Sequence, residues 1–365
     1  MRLFFSAQGL KPRLFKGICG TAEAVPFPKH FGNSNLGASP NRLSRRLATV
    51  FALFVFCFSA AAWADTERGI MVRDAQLFVS PDPNSQKLNK VGRGREVAII
   101  EKSHDFIKVL ANIEGSDEAM NSDRIEGLSV TGWMLDKGVV RASTPNGDKV
   151  LFGEAVDSEA EASRRQGRRG AAHDAMRLYY RTAEYFPKSP LAGEAMWRSA
   201  DIRWQLDKAG VQSRPSAKER EAYLRGQIDE NYMKEVQKKF PGTKWADLAA
   251  YNRLDNKVCG EWQGLPKCPE SESEMFEKYV KEHPQSPKAA EALYEAAWRQ
   301  GALVDIYKTR DEKGKAEIAK QKSLGLCQTI IIQYAQQTSG DWPERAQRLQ
   351  YLLKQGVPIY GTLID

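Results

Sequence analysis

The feature that most restricts this chain is a proline-punctuated pattern recurring through its second half. Tyr180 to Ala200 reads YRTAEYFPKSPLAGEAMWRSA, Val236 to Ala250 reads VQKKFPGTKWADLAA, and Phe276 to Ala297 reads FEKYVKEHPQSPKAAEALYEAA. In each, an apolar run ends in an aromatic or histidine residue before Pro187, Pro241 or Pro284. Ser189, Thr243 or Ser286 follows two residues later, and then an alanine-rich run. A proline cannot continue a helix and biases its predecessor away from helical angles. The hydroxyl residues are placed to cap a second helix, and alanine lets paired helices approach closely. Apolar residues recur at helical spacing, as in Phe276, Tyr279, Val280 and His283, or Ala289, Leu293 and Ala296. Ile330 to Leu353 is a looser fourth unit, with Tyr334 and Pro343 further apart. A single hairpin of this kind has one apolar face too many, and stacking its neighbours buries it. The prolines fall 54 and 43 residues apart, which implies inserted loops. Arg214–Arg220 is assigned to one and Cys259 to Cys268, with Pro266, to another. An all-α helical-repeat superhelix is therefore expected over residues 171–365.

A different period governs residues 65–142. Ala75, Leu77 and Val79 alternate with polar neighbours, as do Val97 and Ile99, then Ile107 and Val109. Turn clusters at 80–85, 92–94 and 103–105 separate them, and Gly132-Trp133-Met134 and Val139-Val140 close the region. This is the pattern of several short antiparallel strands. So few strands bury an apolar face by curling into a small barrel. Residues 111–129 form a long polar insertion, read as either a binding loop or a solvated excursion. Residues 143–170 form a junction, and its stretch from Glu154 to Arg169 can start a helix. The fold class expected is thus multi-domain: a small all-β barrel, then the helical array.

The first 64 residues carry the marks of export. Residues 47–64 read LATVFALFVFCFSAAAWA, preceded by Arg42, Arg45 and Arg46 and ending in Ala62-Trp63-Ala64. A basic flank, an apolar core and a small-residue site define a secretory signal peptide. The run lacks the length and the anchor of a membrane span, so no integral span is expected after processing. Residues 1–43 are long for a signal n-region, which suggests translation starting near residue 40. Ser44-Arg45-Arg46-Leu47 faintly resembles a twin-arginine motif, though a merely basic n-region explains it better. Phe56 precedes Cys57 where a lipoprotein signal requires a small residue, so lipidation is not expected. Export also disposes of the basic charge: the chain carries +8, residues 1–64 account for +7, and +1 remains. No nucleic-acid partner is indicated.

Cys259, Cys268 and Cys327 remain after the presequence. In an oxidising compartment Cys259 and Cys268 are candidates for a disulfide closing their loop, which would contribute about 2–3 kcal/mol on the loop-entropy model. Two free thiols are the alternative. Cys327 lies on the apolar side of a predicted helix and reads as a core residue.

Two families are resembled. Leu77-Phe78-Val79-Ser80-Pro81, Val91-Gly92-Arg93-Gly94-Arg95-Glu96-Val97, Phe106-Ile107-Lys108-Val109 and Thr131-Gly132-Trp133-Met134 follow the order of a bacterial Src-homology-three domain. Ser80 stands where that family has an arginine, and the insertion replaces a tight turn. The helical half is similar to tetratricopeptide repeats, in particular the Phe-Pro-x-Ser-x-x-Ala-x-x-Ala variety of outer-membrane assembly lipoproteins, across roughly residues 155–355. The first resemblance implies binding of cell-wall peptides or protein segments by exposed aromatics beside the loops. Phe78, Phe106 and Trp133 are the candidates, with filling of the barrel as the alternative role for Phe106 and Trp133.

No catalytic constellation emerges. His104, His173 and His283 are the histidines of residues 65–365, and none sits in a zinc-binding or nucleophile context. Gly-x-Ser-x-Gly and phosphate-cradling motifs are absent from the sequence, and no cofactor or metal is expected. Trp197, Trp204, Trp245 and Trp298 fall on predicted second helices and are read as wedges between repeats. The function expected is an exported, non-enzymatic binding or scaffold protein of the bacterial envelope, in the periplasm or on the extracellular face. Its partners would be peptidoglycan or an envelope protein. A peptidoglycan-active or accessory enzyme and a secreted sensor or ligand binder are the alternatives.

Overall fold

The structure, a computed structural model, describes residues 66–113, 129–336 and 340–360. The presequence at 1–64, with its export signals, and most of the 111–129 insertion lie outside the described residues. The described residues belong to one compact unit that begins at Thr66.

Seven strands come first among the described residues: β1 (Arg68–Met71), β2 (Ala75–Phe78), β3 (Lys87–Val91), β4 (Glu96–Ser103), β5 (Phe106–Asn112), β6 (Ser129–Leu135) and β7 (Val139–Arg141). They form one antiparallel sheet in the order β3-β2-β6-β5-β4-β1-β7. Met71, Leu77, Val91, Val97, Ile99, Ile107, Val109, Ala111 and Met134 gather into one core, so the sheet curls around its inner face. It does not close. β3 and β7 are its two ends, and the barrel expectation gives way to an open, curled sheet. The reason lies in what covers each end. β3 is exposed along most of its length, with Lys87, Asn89 and Lys90 in water, which discourages further strand pairing. The opposite end is covered by helices. Val79, counted with Ala75 and Leu77 in the alternation, falls past the end of β2 and is exposed.

Nine α-helices follow among the described residues: α1 (Gly147–Ala162), α2 (Ala171–Tyr185), α3 (Ala192–Gln212), α4 (Asn231–Lys239), α5 (Lys244–Asn252), α6 (Lys267–Glu282), α7 (Ala289–Thr309), α8 (Lys313–Gln333) and α9 (Trp342–Gln355). None is long and apolar enough to cross a membrane. α1 occupies the stretch read as a junction and lays Leu151, Ala155 and Ser158 against its neighbours.

The repeat has a geometric signature. Phe186, Phe240 and His283 each end a first helix with φ near −125° to −130° and ψ 52° to 58°. Each donates its N–H to the carbonyl four residues back, on Thr182, Val236 and Tyr279. The proline that follows excludes the helical region for these residues, so three distant sequences turn in one way. Tyr334, which ends α8, has φ −112° and ψ 16° and no proline after it. The looser fourth unit therefore turns differently.

The capping expectation holds at one of three positions. Thr243 accepts the Ala246 N–H at the start of α5. Ser189 and Ser286 stand three residues before α3 and α7. Their hydroxyls accept the N–H of Leu191 and Lys288, and their carbonyls accept the first N–H of each helix. A short turn has been inserted between the hydroxyl residue and the helix, and the serines brace that turn. Ser286 also bonds Tyr279 at 2.6 Å, and Ser189 donates to Asp148 at 2.6 Å.

Sheet and helices share a core. Alternation along β1 puts Met71 in the sheet interior and Ile70, with Val72 just beyond, on the helical side. There Ile70, Val72 and Val140 join Leu151, Ala155, Leu178, Tyr179 and Trp204 in one cluster. Polar contacts frame the seam: Tyr185 donates to Glu96 at 2.6 Å, Arg177 donates to the Arg93 carbonyl at 3.2 Å, and Arg73 pairs with Glu154. Gly94 sits at φ +69°, and a Cβ there would stand 2.6 Å from Arg177 Cβ. Only glycine allows both that backbone and that approach.

Candidate functional site

Two aromatic groupings stand out, one on the sheet and one among the helices. Phe78, Phe106 and Trp133 come from β2, β5 and β6 and meet in one cluster. Their neighbours Leu77, Ile107 and Met134 point into the sheet interior, so the period of two places the three rings on the opposite face. Phe78 and Phe106 pack edge to face at 6.4 Å. Lys108 Nζ lies 5.8 Å from the Trp133 ring. The structure thus brings together all three residues singled out from the sequence, apart from the interior core, and it buries them: each is 8–9% exposed rather than open to solvent.

The second grouping is a cleft of about 560 Å³ between α6, α7, the loop 258–266 and the segment after α9. Trp262 from the loop stacks on Tyr360 at 5.9 Å with an interplanar angle of 13°. Trp298 of α7 leans against Trp262 at 5.4 Å and 47°. Beneath the two indoles lies Arg299, its guanidinium 5.8 Å from the Trp262 ring and 5.9 Å from the Trp298 ring. Phe276 of α6 backs it at 4.6 Å.

Glu272 organises this floor. It is 1% exposed. One carboxylate oxygen accepts from Arg299 Nε at 2.6 Å. The other accepts the Cys259 N–H at 2.8 Å and Trp262 Nε1 at 3.3 Å. A single buried carboxylate therefore holds the loop, its tryptophan and the arginine. Glu295 also pairs with Arg299 from one turn away on α7. Cys259 and Cys268 stand at disulfide distance, with Cα atoms 6.1 Å apart, a spacing normal for a bridge. Tyr360 is fixed in turn: its hydroxyl accepts the Gly264 N–H at 2.9 Å, and Asp305 accepts the N–H groups of Ile359 and Tyr360. The walls are thus anchored from several sides before any ligand arrives.

The tryptophans read as wedges divide. Trp204 is buried and donates to Asp255 at 2.9 Å. Trp197 stacks on Trp245 at 5.6 Å. Trp298 instead lines the cleft. Trp262, Tyr360, Arg299 and Glu272 carried no motif in the sequence. The one signal was a tryptophan inside a cysteine-bounded loop, where a rigid aromatic has little structural reason to be.

Cys327 is fully buried, and burial pushes its thiol up to about 12. It should resist alkylation by iodoacetamide at pH 8 in the native protein and react only after denaturation. Rapid native labelling, read by mass spectrometry, would refute this. Among the described residues no group of three or more His, Cys, Asp or Glu side chains is placed to hold a metal ion. No family model matches the chain, and no curated protein is similar to it in sequence.

Proposed function

We propose that this chain is an exported, non-enzymatic binding protein of the bacterial envelope, with the curled sheet acting as a module like a bacterial Src-homology-three domain and the helices as a scaffold like tetratricopeptide repeats. The observation that carries the reading is the aromatic cluster on the outer sheet face. Three rings from separate strands gather there, each only 8–9% exposed, with the half-buried Lys108 beside one of them, and their outer edges would floor a groove for wall peptides. The disulfide-distance cysteine pair supports export. The stacked helix pairs supply a rigid surface of the kind used to hold protein partners.

The test is co-sedimentation of residues 65–365 with purified peptidoglycan sacculi. The whole region is used because the sheet and the helices share a core. The expected result is a pelleted protein, with pelleting reduced by Trp133→Leu and by Lys108→Glu. Lys108 is half-buried and pairs with Glu101, so the melting temperature of its variant is measured alongside to separate lost binding from lost folding. Protein that stays in the supernatant at both low and moderate salt would refute the wall reading. Release of soluble wall fragments during the incubation would favour an enzyme.

A further inference from the structure

We infer that the cleft framed by Trp262, Trp298 and Tyr360 is a binding site for an uncharged sugar, one or two pyranose rings of a glycan. Its volume of about 560 Å³ lies within the ~300–1,000 Å³ range of small-ligand sites. The site is separate from the sheet cluster, and its assignment does not depend on the envelope reading.

The charges decide the ligand class. The positive charge at the floor is Arg299, and it is matched by two carboxylates, Glu272 and Glu295. Glu261 adds a third acidic group at the rim, with the exposed Lys218 3.7 Å away. An anionic ligand would therefore meet more negative than positive charge near the floor. A cationic ligand fares no better. Arg299 already occupies the position of a cation beneath both indoles, and a second cation would add like-charge repulsion at short range. What remains is a neutral molecule.

The distribution of polarity narrows it further. The walls offer half-buried aromatic surface, Trp298 beside the stacked pair of Trp262 and Tyr360, while Glu261 and Gln263, both exposed, give the rim hydrogen-bonding groups. A purely apolar ligand would strip water from those rim groups without replacing its hydrogen bonds, which is unfavourable. A pyranose has a C–H face for the indoles and hydroxyls around its edge for the carboxylate and the amide. A site already rigid before binding loses little freedom when the sugar enters. That condition is met by the network around Glu272, the cysteine pair and the Gly264–Tyr360 bond.

The experiment is a tryptophan-fluorescence and calorimetric titration of residues 65–365, with the cysteines oxidised. The probes are neutral β-linked oligosaccharides of glucose and of N-acetylglucosamine, a uronic-acid oligosaccharide, and a proline-rich peptide. Saturable binding of a neutral sugar is expected, with the uronic-acid probe weaker by about tenfold or more. Trp262→Ala and Trp298→Ala should each weaken the neutral sugar by about tenfold, the loss of one good stacking contact. Gln263→Ala, at an exposed position, should weaken it with no change in melting temperature, which keeps the test valid if a tryptophan variant misfolds. Tyr223→Ala, an exposed aromatic outside the cleft, should leave it unchanged. Absence of saturable binding by any neutral sugar up to its solubility limit would overturn the proposal. So would preferential binding of the uronic-acid probe, or of the peptide in a Trp262-dependent manner.

Discussion

Glu272→Ala is expected to lower stability by about 3 kcal/mol, measured by equilibrium unfolding in guanidinium chloride. Removing one member of a buried ion pair typically costs ~3–5 kcal/mol, because the other charge stays buried and unpaired. The lower end applies here because Glu295 remains beside Arg299. The Cys259 N–H and the Trp262 indole lose their acceptor in the same step, so the loop should loosen and any ligand bound in the cleft should be lost with it. The double change Glu272→Met with Arg299→Met removes both charges and keeps apolar volume. It should be less destabilising than the single change, because no charge is stranded. A cost below about 1 kcal/mol for Glu272→Ala would show that the pair is not buried as described.

Trp204→Ala should be as damaging, at about 3–5 kcal/mol, the usual range for removing a large aromatic from a core. Trp204 is 1% exposed and belongs to the cluster joining the sheet to the first helices. Its indole N–H also reaches across to Asp255, just past α5. Trp204→Phe keeps most of the volume, losing that bond and a small part of the packing. Asp255 retains Lys208 at 2.8 Å, so the phenylalanine variant should cost about 1–2 kcal/mol. The order of the two variants tests the argument. Equal losses would mean that the hydrogen bond, rather than the packing, supplies the stability.

The helix pairs were legible because their signals are local. Phe-Pro or His-Pro forces a break within two residues, and the closely similar backbone angles at Phe186, Phe240 and His283 show how little distant structure contributes. Ser189 and Ser286 were misplaced because sequence spacing does not distinguish a cap from a serine bracing a turn just ahead of the helix. The strands were legible where one face is buried. β1 was not, since Ile70 and Met71 are both fully buried, each in a different core. Barrel closure failed as an expectation because it assumed that so few strands must bury their apolar surface on one another, whereas Val140 and Ile70 at the β7 end are buried against helices. On the sheet, Phe78, Phe106 and Trp133 could be singled out together because each lies in a short alternating strand segment of the sequence. The cleft was invisible for the opposite reason. Its parts come from a loop, two helices and a trailing segment, and neither Glu272 nor Arg299 differs in sequence from an ordinary charge on a helix surface. Burial, which makes them a pair, is a property of the assembled structure.

The seam at Ile70, Val72 and Val140 has a consequence for how the molecule comes apart. A chain whose β and α parts each owned a private core would unfold in two stages, and either part would survive loss of the other. Here the β1–β7 end of the sheet shares one cluster with residues of α1 to α3, and stripping those helices away would leave three aliphatic side chains in water. The change of period near residue 143 marks where one kind of secondary structure stops. It does not mark where cooperativity stops. Sheet and leading helices are therefore expected to gain and lose their structure together, with the remaining helix pairs built outward from them.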